Sequence, residues 1–194
     1  MANEMSQPPF TELAGAPAAV KHYAYPLDEF YLAAGLPLPL IEPLPGDMMP
    51  EPFKSLLAHE HDMTPTLEEF HKCPLHLHVL RNFTRGDFYF REVVLRTDEG
   101  ERPVEFGAIK INMALFEPPA RRLILEERWP LGHILRDCAV PHESHPKAFL
   151  RVQSDDFINR ALNLSGMHTL YGRRNTLTDL KQRPLAEIVE ILPP

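Results

Sequence analysis

The run Pro184–Pro193, PLAEIVEILP, constrains the fold more than any other stretch of the chain. Side chains alternate across a strand, so Ala186, Ile188, Glu190 and Leu192 share one face and Leu185, Glu187, Val189 and Ile191 the other. Both faces are mostly apolar, which predicts a strand covered on each side. Glu187 lies near the preceding turn and can reach water there. Glu190 sits between Ile188 and Leu192 on its own face, where an unpaired buried charge is costly. Two arrangements satisfy it. Either this is an edge strand with Glu190 in solvent, or Glu190 is paired, neutralised or lining a cavity.

The rest of the chain supplies a sheet for that strand. Residues 75–81 (LHLHVLR), 87–97 (DFYFREVVLRT) and 103–113 (PVEFGAIKINM) read as strands, with turns at Arg85-Gly86 and at Asp98-Glu99-Gly100-Glu101. After a polar loop, PHESHP, Ala148–Gln153 reads as another, and His168–Thr178 precedes the last. Helical patterns fall between them. Pro26–Ala34 ends at Gly35, FKSLLAHE follows Pro52, and in MTPTLEEFHK Thr64 has the look of an N-cap with Pro65 at the first helical position. Pro118–Glu126, Leu131–Cys138 and Ser154–Leu164 complete the set. Strands mostly in hairpins, with helices inserted, predict an α+β domain on an antiparallel sheet of about six strands.

Residues 1–50 hold nine of the 21 prolines, clustered in LPLPLIEPLPGDMMP. Proline fixes φ and removes donors, so this arm should run extended over the body with few ladder bonds. Leu36, Leu38, Leu40, Ile41 and Leu44 argue for packing over a proline-rich ligand for an adaptor domain. The expected organisation is an arm, 1–50, packed on a domain, 51–194. A chain of 194 residues with 44% hydrophobic residues supports one real core. Its two cysteines, Cys73 and Cys138, make no disulfide framework and read as core residues. No secretory leader or membrane span is legible, which predicts a cytoplasmic protein. The formal charge of −7 argues against nucleic acid or membrane partners. Any anionic ligand must therefore be captured by local arginines.

Arg91 lies mid-strand on the face of Tyr89, Val93 and Leu95. Arg173 and Arg174 lie in LYGRRNTL, beside a Gly172 that lets a strand bend or a ligand approach. A buried arginine needs an anion, and its planar fork suits carboxylates. The plain structural alternative is an Arg91–Glu190 ion pair across neighbouring strands. His76 and His78 share a strand face after His59 and His61, but no companion cluster stands at ligand spacing. A solvent-facing pair is the simpler expectation, with no metal. Met63 and Trp129 read as packing residues.

Five stretches in order, HDMTPTLEEF, FYFREVVL, WPLGHIL, LYGRRNTL and PLAEIVEILP, resemble the chorismate pyruvate-lyase (4-hydroxybenzoate synthase) family over residues 55 to 193. The resemblance implies an antiparallel sheet with helices on one side and an internal ligand cavity. It places substrate contacts at Met63, Arg91, Leu131 (through its backbone) and Glu190, and Arg173 joins them as a further candidate anion ligand. Chorismate is a dianion that loses pyruvate to become a hydroxybenzoate. Arg91 would clamp a carboxylate, Glu190 would act as acid or hydrogen-bond donor, and no cofactor is needed. One departure stands out: Ala108 occupies a position where the better-known enzymes carry an arginine, with Lys110 two residues on. Related folds also serve as effector-binding domains of bacterial transcription regulators, so the alternative is a non-catalytic module for a small aromatic acid. In both cases the expected partner is a small anionic aromatic or pre-aromatic molecule.

Overall fold

Seven strands form one antiparallel sheet in the computed structural model, which describes residues 23–194. They are β1 (Ile41–Leu44), β2 (Leu75–Arg85), β3 (Phe88–Thr97), β4 (Pro103–Asn112), β5 (Glu143–Gln153), β6 (Thr169–Thr178) and β7 (Pro184–Leu192). Their order across the sheet is β1-β5-β6-β7-β4-β3-β2. Two three-stranded meanders, β2-β3-β4 and β5-β6-β7, are thus joined along the β4–β7 seam. The last strand lies in the middle of the sheet, so of the two arrangements open to Glu190 the solvent-exposed edge is excluded. The α-helices of the described residues are α1 (Leu27–Ala33), α2 (Phe53–Leu57), α3 (Met63–His71), α4 (Pro118–Leu125), α5 (Leu131–Asp137) and α6 (Asp156–Leu162).

Three details differ from the expectation, each for a local reason. The seventh strand, β1, comes from the proline-rich stretch and pairs with β5 from Ile41 to Leu44. An edge strand tolerates Pro43, whose missing donor can face outward. The PHESHP loop is largely strand: β5 starts at Glu143, and a register shift between Pro146 and Ala148 absorbs the proline. Helix α3 starts earlier than predicted, with extended Asp62 as its N-cap and Thr64-Pro65 inside the first turn. Proline is accepted there because the first amides of a helix have no partner within it. The part of the arm before residue 23 lies outside the described residues.

Helices cover both faces of the sheet rather than one. Phe90, Val94, Phe106, Val189 and Ile191 pack against Leu27 and Phe30 of α1 and Ile158 and Leu162 of α6. On the other face the apolar core is split in two. Ile109, Ile111, Leu177 and Ala186 meet α4 and α5 through Ile124, Leu131 and Ile134. Leu77, Val93, Leu95 and Leu192 meet α2 and α3 through Leu57, Met63 and Leu67. Buried polar residues of this face, Arg91, Glu105, Arg173, Asn175 and Glu190, stand among these apolar groups. No described helix is long and apolar enough to cross a membrane.

Gly172 pins β6 to β7 behind this polar group. A Cβ built there would lie 2.3 Å from the Glu190 carbonyl oxygen, closer than van der Waals contact allows. Rigid backbone on both sides leaves nowhere for a methyl group to go. Gly172→Ala should cost about 2–3 kcal/mol by equilibrium denaturation. A loss under half that would show that the two strands can part without harm.

Candidate functional site

Strand register assembles the site. On one row across the sheet, Val93 opposes Gly107, Gly107 opposes Glu190, and Glu190 opposes Arg173. On the next row run Arg91, Ile109, Ile188 and Asn175. Glu105 shares the face of Gly107 and Ile109, two residues back along β4. The first residues of α3, Met63 and Thr64, and those of α5, Leu131 and Gly132, roof a cavity of about 60 Å³. Gly107 keeps its floor low: a Cβ there would sit 3.1 Å from Glu105 Oε1. Gly132 lets α5 press against α3, 3.0 Å from Thr64 Oγ1 on the same construction.

Arg91 is only 1% exposed, and its Nε and one terminal nitrogen have no hydrogen-bond partner among the described residues. Burial pulls its pKa down to about 10, opposed in part by Tyr89 and Glu127 nearby. Glu127 is itself engaged, accepting hydrogen bonds from the Tyr89 hydroxyl and, at 2.8 Å, from Asn82 Nδ2. Glu105 is buried, and its Oε2 also lacks a partner among the described residues. Burial first, and then the field of Glu190, push its carboxyl well above the usual range, against the pull of Arg173. Both effects favour the protonated form of Glu105.

Glu190 has a different fate. Its Oε2 accepts from Arg173 Nε in a fully buried ion pair. The remaining Arg173 donors reach the carbonyls of His59 at 3.0 Å, His61 at 3.2 Å and Leu57 at 3.4 Å. Asn175 donates from Nδ2 to Ser144 Oγ at 2.9 Å, while its Oδ1 is another buried atom without a partner among the described residues. Asp62, on the cavity wall, accepts from His142 Nε2 at 2.9 Å, and that bond holds the His142 pKa up.

Met63, Arg91, Leu131 and Glu190 therefore line one cavity. Arg173 does not line it: it stands behind Glu190 with its guanidinium fully engaged. Arg174 lies on the opposite sheet face, bonded to Glu187 at 3.1 Å and to the Tyr25 carbonyl. An Arg91–Glu190 pair does not form, because β4 separates their strands. Ala108 packs in the core of the opposite face. Lys110 is there too, 3.0 Å from Glu187 and over the Phe88 ring, so it brings no charge to the cavity. His76 lies between Asp98 and Glu101, and the described residues hold no cluster of three candidate metal ligands. Trp129 is 49% exposed rather than packed.

Two site residues escaped the sequence reading. Glu105 was legible by the argument used for Glu190, a carboxylate alternating with Gly107 and Ile109 on an apolar strand. Asn175 had no such signal, since asparagine on a strand is ordinary.

No family model and no curated protein matches the chain. Solved structures match in fold. PhnF from Mycobacterium smegmatis superposes with a TM-score of 0.53 at 11% identity, over 68% of this chain and 63% of that one. Its separately solved effector domain gives 0.51 at 11% identity, over 68% and 87%. A GntR-family transcriptional regulator from Bacillus cereus gives 0.47 at 13% identity, over 62% and 92%. At these identities the likeness shows the fold alone: an α+β domain on an antiparallel sheet, shared with the PhnF effector domain.

Glu105 makes stability depend on pH. Folding holds its proton above the ordinary range near 4.5, so the folded state binds more protons than the unfolded one once pH exceeds that value. Its contribution is full below about 4.5 and is lost as pH rises through the folded pKa. Glu105→Gln, neutral at every pH, should flatten this fall in a series of melts from pH 5 to pH 9. Parallel curves for the two proteins would mean that Glu105 is ionised in the fold.

Proposed function

We propose that this chain is a non-catalytic binding module whose cavity holds a small organic acid on Arg91. One observation carries the reading: a guanidinium buried in the cavity wall keeps two unpartnered donor nitrogens. An interior charge without a partner costs several kcal/mol, and a site that retains one recovers that free energy when an anion arrives. Local capture is needed in a chain of net charge −7, whose overall field repels anions. The fold supports the same reading, since PhnF presents it as an effector domain.

A lyase acting on chorismate is the second reading, favoured by one feature: a buried acid with a raised pKa, Glu105, in the same cavity as Arg91. The proton donor would then be Glu105 and not Glu190, whose oxygen already accepts from Arg173. The charge of the site weighs against it. Arg91 is the one cation lining the cavity among the described residues, whereas chorismate brings two carboxylates.

Two measurements test the module. Arg91→Met replaces an unpaired buried charge with an apolar side chain, so it should raise stability by about 2 kcal/mol, or roughly 4–8 °C in midpoint. The same variant should lose the thermal stabilisation that a panel of small carboxylates confers on the wild type, with affinity down about 100-fold or more. Purified protein should release no pyruvate from chorismate. Equal responses of wild type and variant to every acid would sink the binding reading, and stoichiometric pyruvate would install the lyase.

A further inference from the structure

We infer that the cavity takes a singly charged, short-chain carboxylate bearing a hydroxyl group, with its carboxylate on Arg91 and its hydroxyl donating to Asn175 Oδ1. This rests on the binding reading above and adds the ligand's charge, its length and its far end. Charge comes first. Glu190 is paired with Arg173, and burial disfavours a charge on Glu105. Asp62 at the rim is paired with His142. Among the described residues that line the cavity, Arg91 is the one cationic side chain, and its Nε and one terminal nitrogen have no partner there. One anionic group neutralises it, and a second would lie against Glu105 and Glu190 in a desolvated space, where like charge costs several kcal/mol.

The far end follows from strand register. Arg91 and Asn175 stand at opposite ends of one row, with Ile109 and Ile188 between them as an apolar floor. Three strand spacings set their Cα atoms about 14 Å apart, and the two side chains extend into the same cavity from either end. Among the described residues, the unpartnered atoms at the Arg91 end are two donors, and the one at the Asn175 end is an acceptor. Asn175 Nδ2 is already committed to Ser144, which fixes the amide with its oxygen free. A ligand complementary to the row has an anion, an apolar middle and a hydrogen-bond donor, in that order.

Size sets the middle. The cavity of about 60 Å³ is less than half of the ~150 Å³ void that accommodates a benzene ring in a protein core. Side chains here are held on both sides by packed helices and do not yield that volume freely. An aliphatic chain fits where an aromatic ring would need the floor or roof to move.

Calorimetric titration of the whole chain at pH 7 with butyrate, 4-hydroxybutyrate and succinate separates these claims, because the three share length and differ in charge and terminal donor. 4-Hydroxybutyrate should bind about tenfold more tightly than butyrate, the difference expected of one neutral hydrogen bond to a buried acceptor. It should bind about 100-fold more tightly than succinate. Asn175→Val should erase the preference over butyrate and keep the preference over succinate. Ser144→Ala, which removes the bond that orients the amide, should narrow the preference over butyrate and keep the preference over succinate. Succinate binding as tightly as 4-hydroxybutyrate overturns the charge assignment while leaving Arg91 as the anion site. Equal binding of butyrate and 4-hydroxybutyrate overturns the role of Asn175. Binding of benzoate where none of the three binds overturns the length. Failure of every carboxylate, benzoate included, overturns the binding reading itself.

Discussion

The buried ion pair between Arg173 and Glu190 is what the rest of the site is hung on. Neither charge could stay on central strands alone, and removing one partner of such a pair typically costs about 3–5 kcal/mol because the other is stranded. Arg173 does more than neutralise Glu190. Its other nitrogens gather the carbonyls of Leu57, His59 and His61, the backbone that leaves α2 and turns toward α3. These are groups that α2 leaves unsatisfied at its end or that the following loop cannot pair, and a buried loop must find donors for them. One guanidinium therefore sets the height at which α3 begins, and with it the placing of Asp62, Met63 and Thr64 over the cavity. The Asp62–His142 bond then ties the same point to the segment leading into β5.

That pair also decides the state of its neighbour. Glu105 and Glu190 lie on adjoining strands of one face, and a single arginine serves both. Arg173 gives its Nε to Glu190, so Glu105 experiences burial and the repulsion of a carboxylate with only distant compensation. Of these two acids only Glu190 holds the arginine directly, and Glu105 is left to its burial. The outcome is a cavity with polar atoms left open, among the described residues, at Arg91, Glu105 and Asn175. Four open atoms on three residues of one small space are unusual, because buried polar groups are ordinarily satisfied, and they are what the binding proposal rests on.

Much of this could be seen in the sequence because the period of a strand is unambiguous. The alternation of PLAEIVEILP placed Glu190 among apolar neighbours, and that of FYFREVVL placed Arg91 on a core face. What alternation cannot supply is the order of strands. Arg91 and Glu190 looked like partners only if β3 and β7 were adjacent; β4 lies between them, and β6 brings Arg173 to Glu190 instead. Lys110 has the wrong parity to serve the cavity, since an even step from Ala108 keeps it on the opposite face. The same arithmetic would have singled out Glu105. Asn175 was invisible because its role comes from an amide whose nitrogen is occupied by Ser144, a contact across two strands.

The location of the cavity follows from topology. Two meanders are cheap to form, since each strand pairs with its sequence neighbour, through a short turn except between β5 and β6, where residues 154–168 carry α6. Joining them along β4 and β7 requires one long connection, residues 113–142, and it is this connection that carries α4 and α5. Those helices must return across the sheet face to reach β5, so α5 comes to rest opposite α3 with the seam beneath. Apolar side chains fill either side of the seam, Ile111 and Ile124 to one side, Leu95 and Leu67 to the other. At the seam itself Gly107 contributes no side chain, and the gap it leaves is bounded by whatever the adjoining strands present: Arg91 from β3, Glu190 from β7, Asn175 from β6. A pocket at the junction of two substructures draws its groups from both, which is how a fold of local hairpins holds a cation from one half against acceptors from the other. Sequence change at these few inward positions would alter the cavity's lining while the ladder, the turns and the two apolar clusters stay as they are.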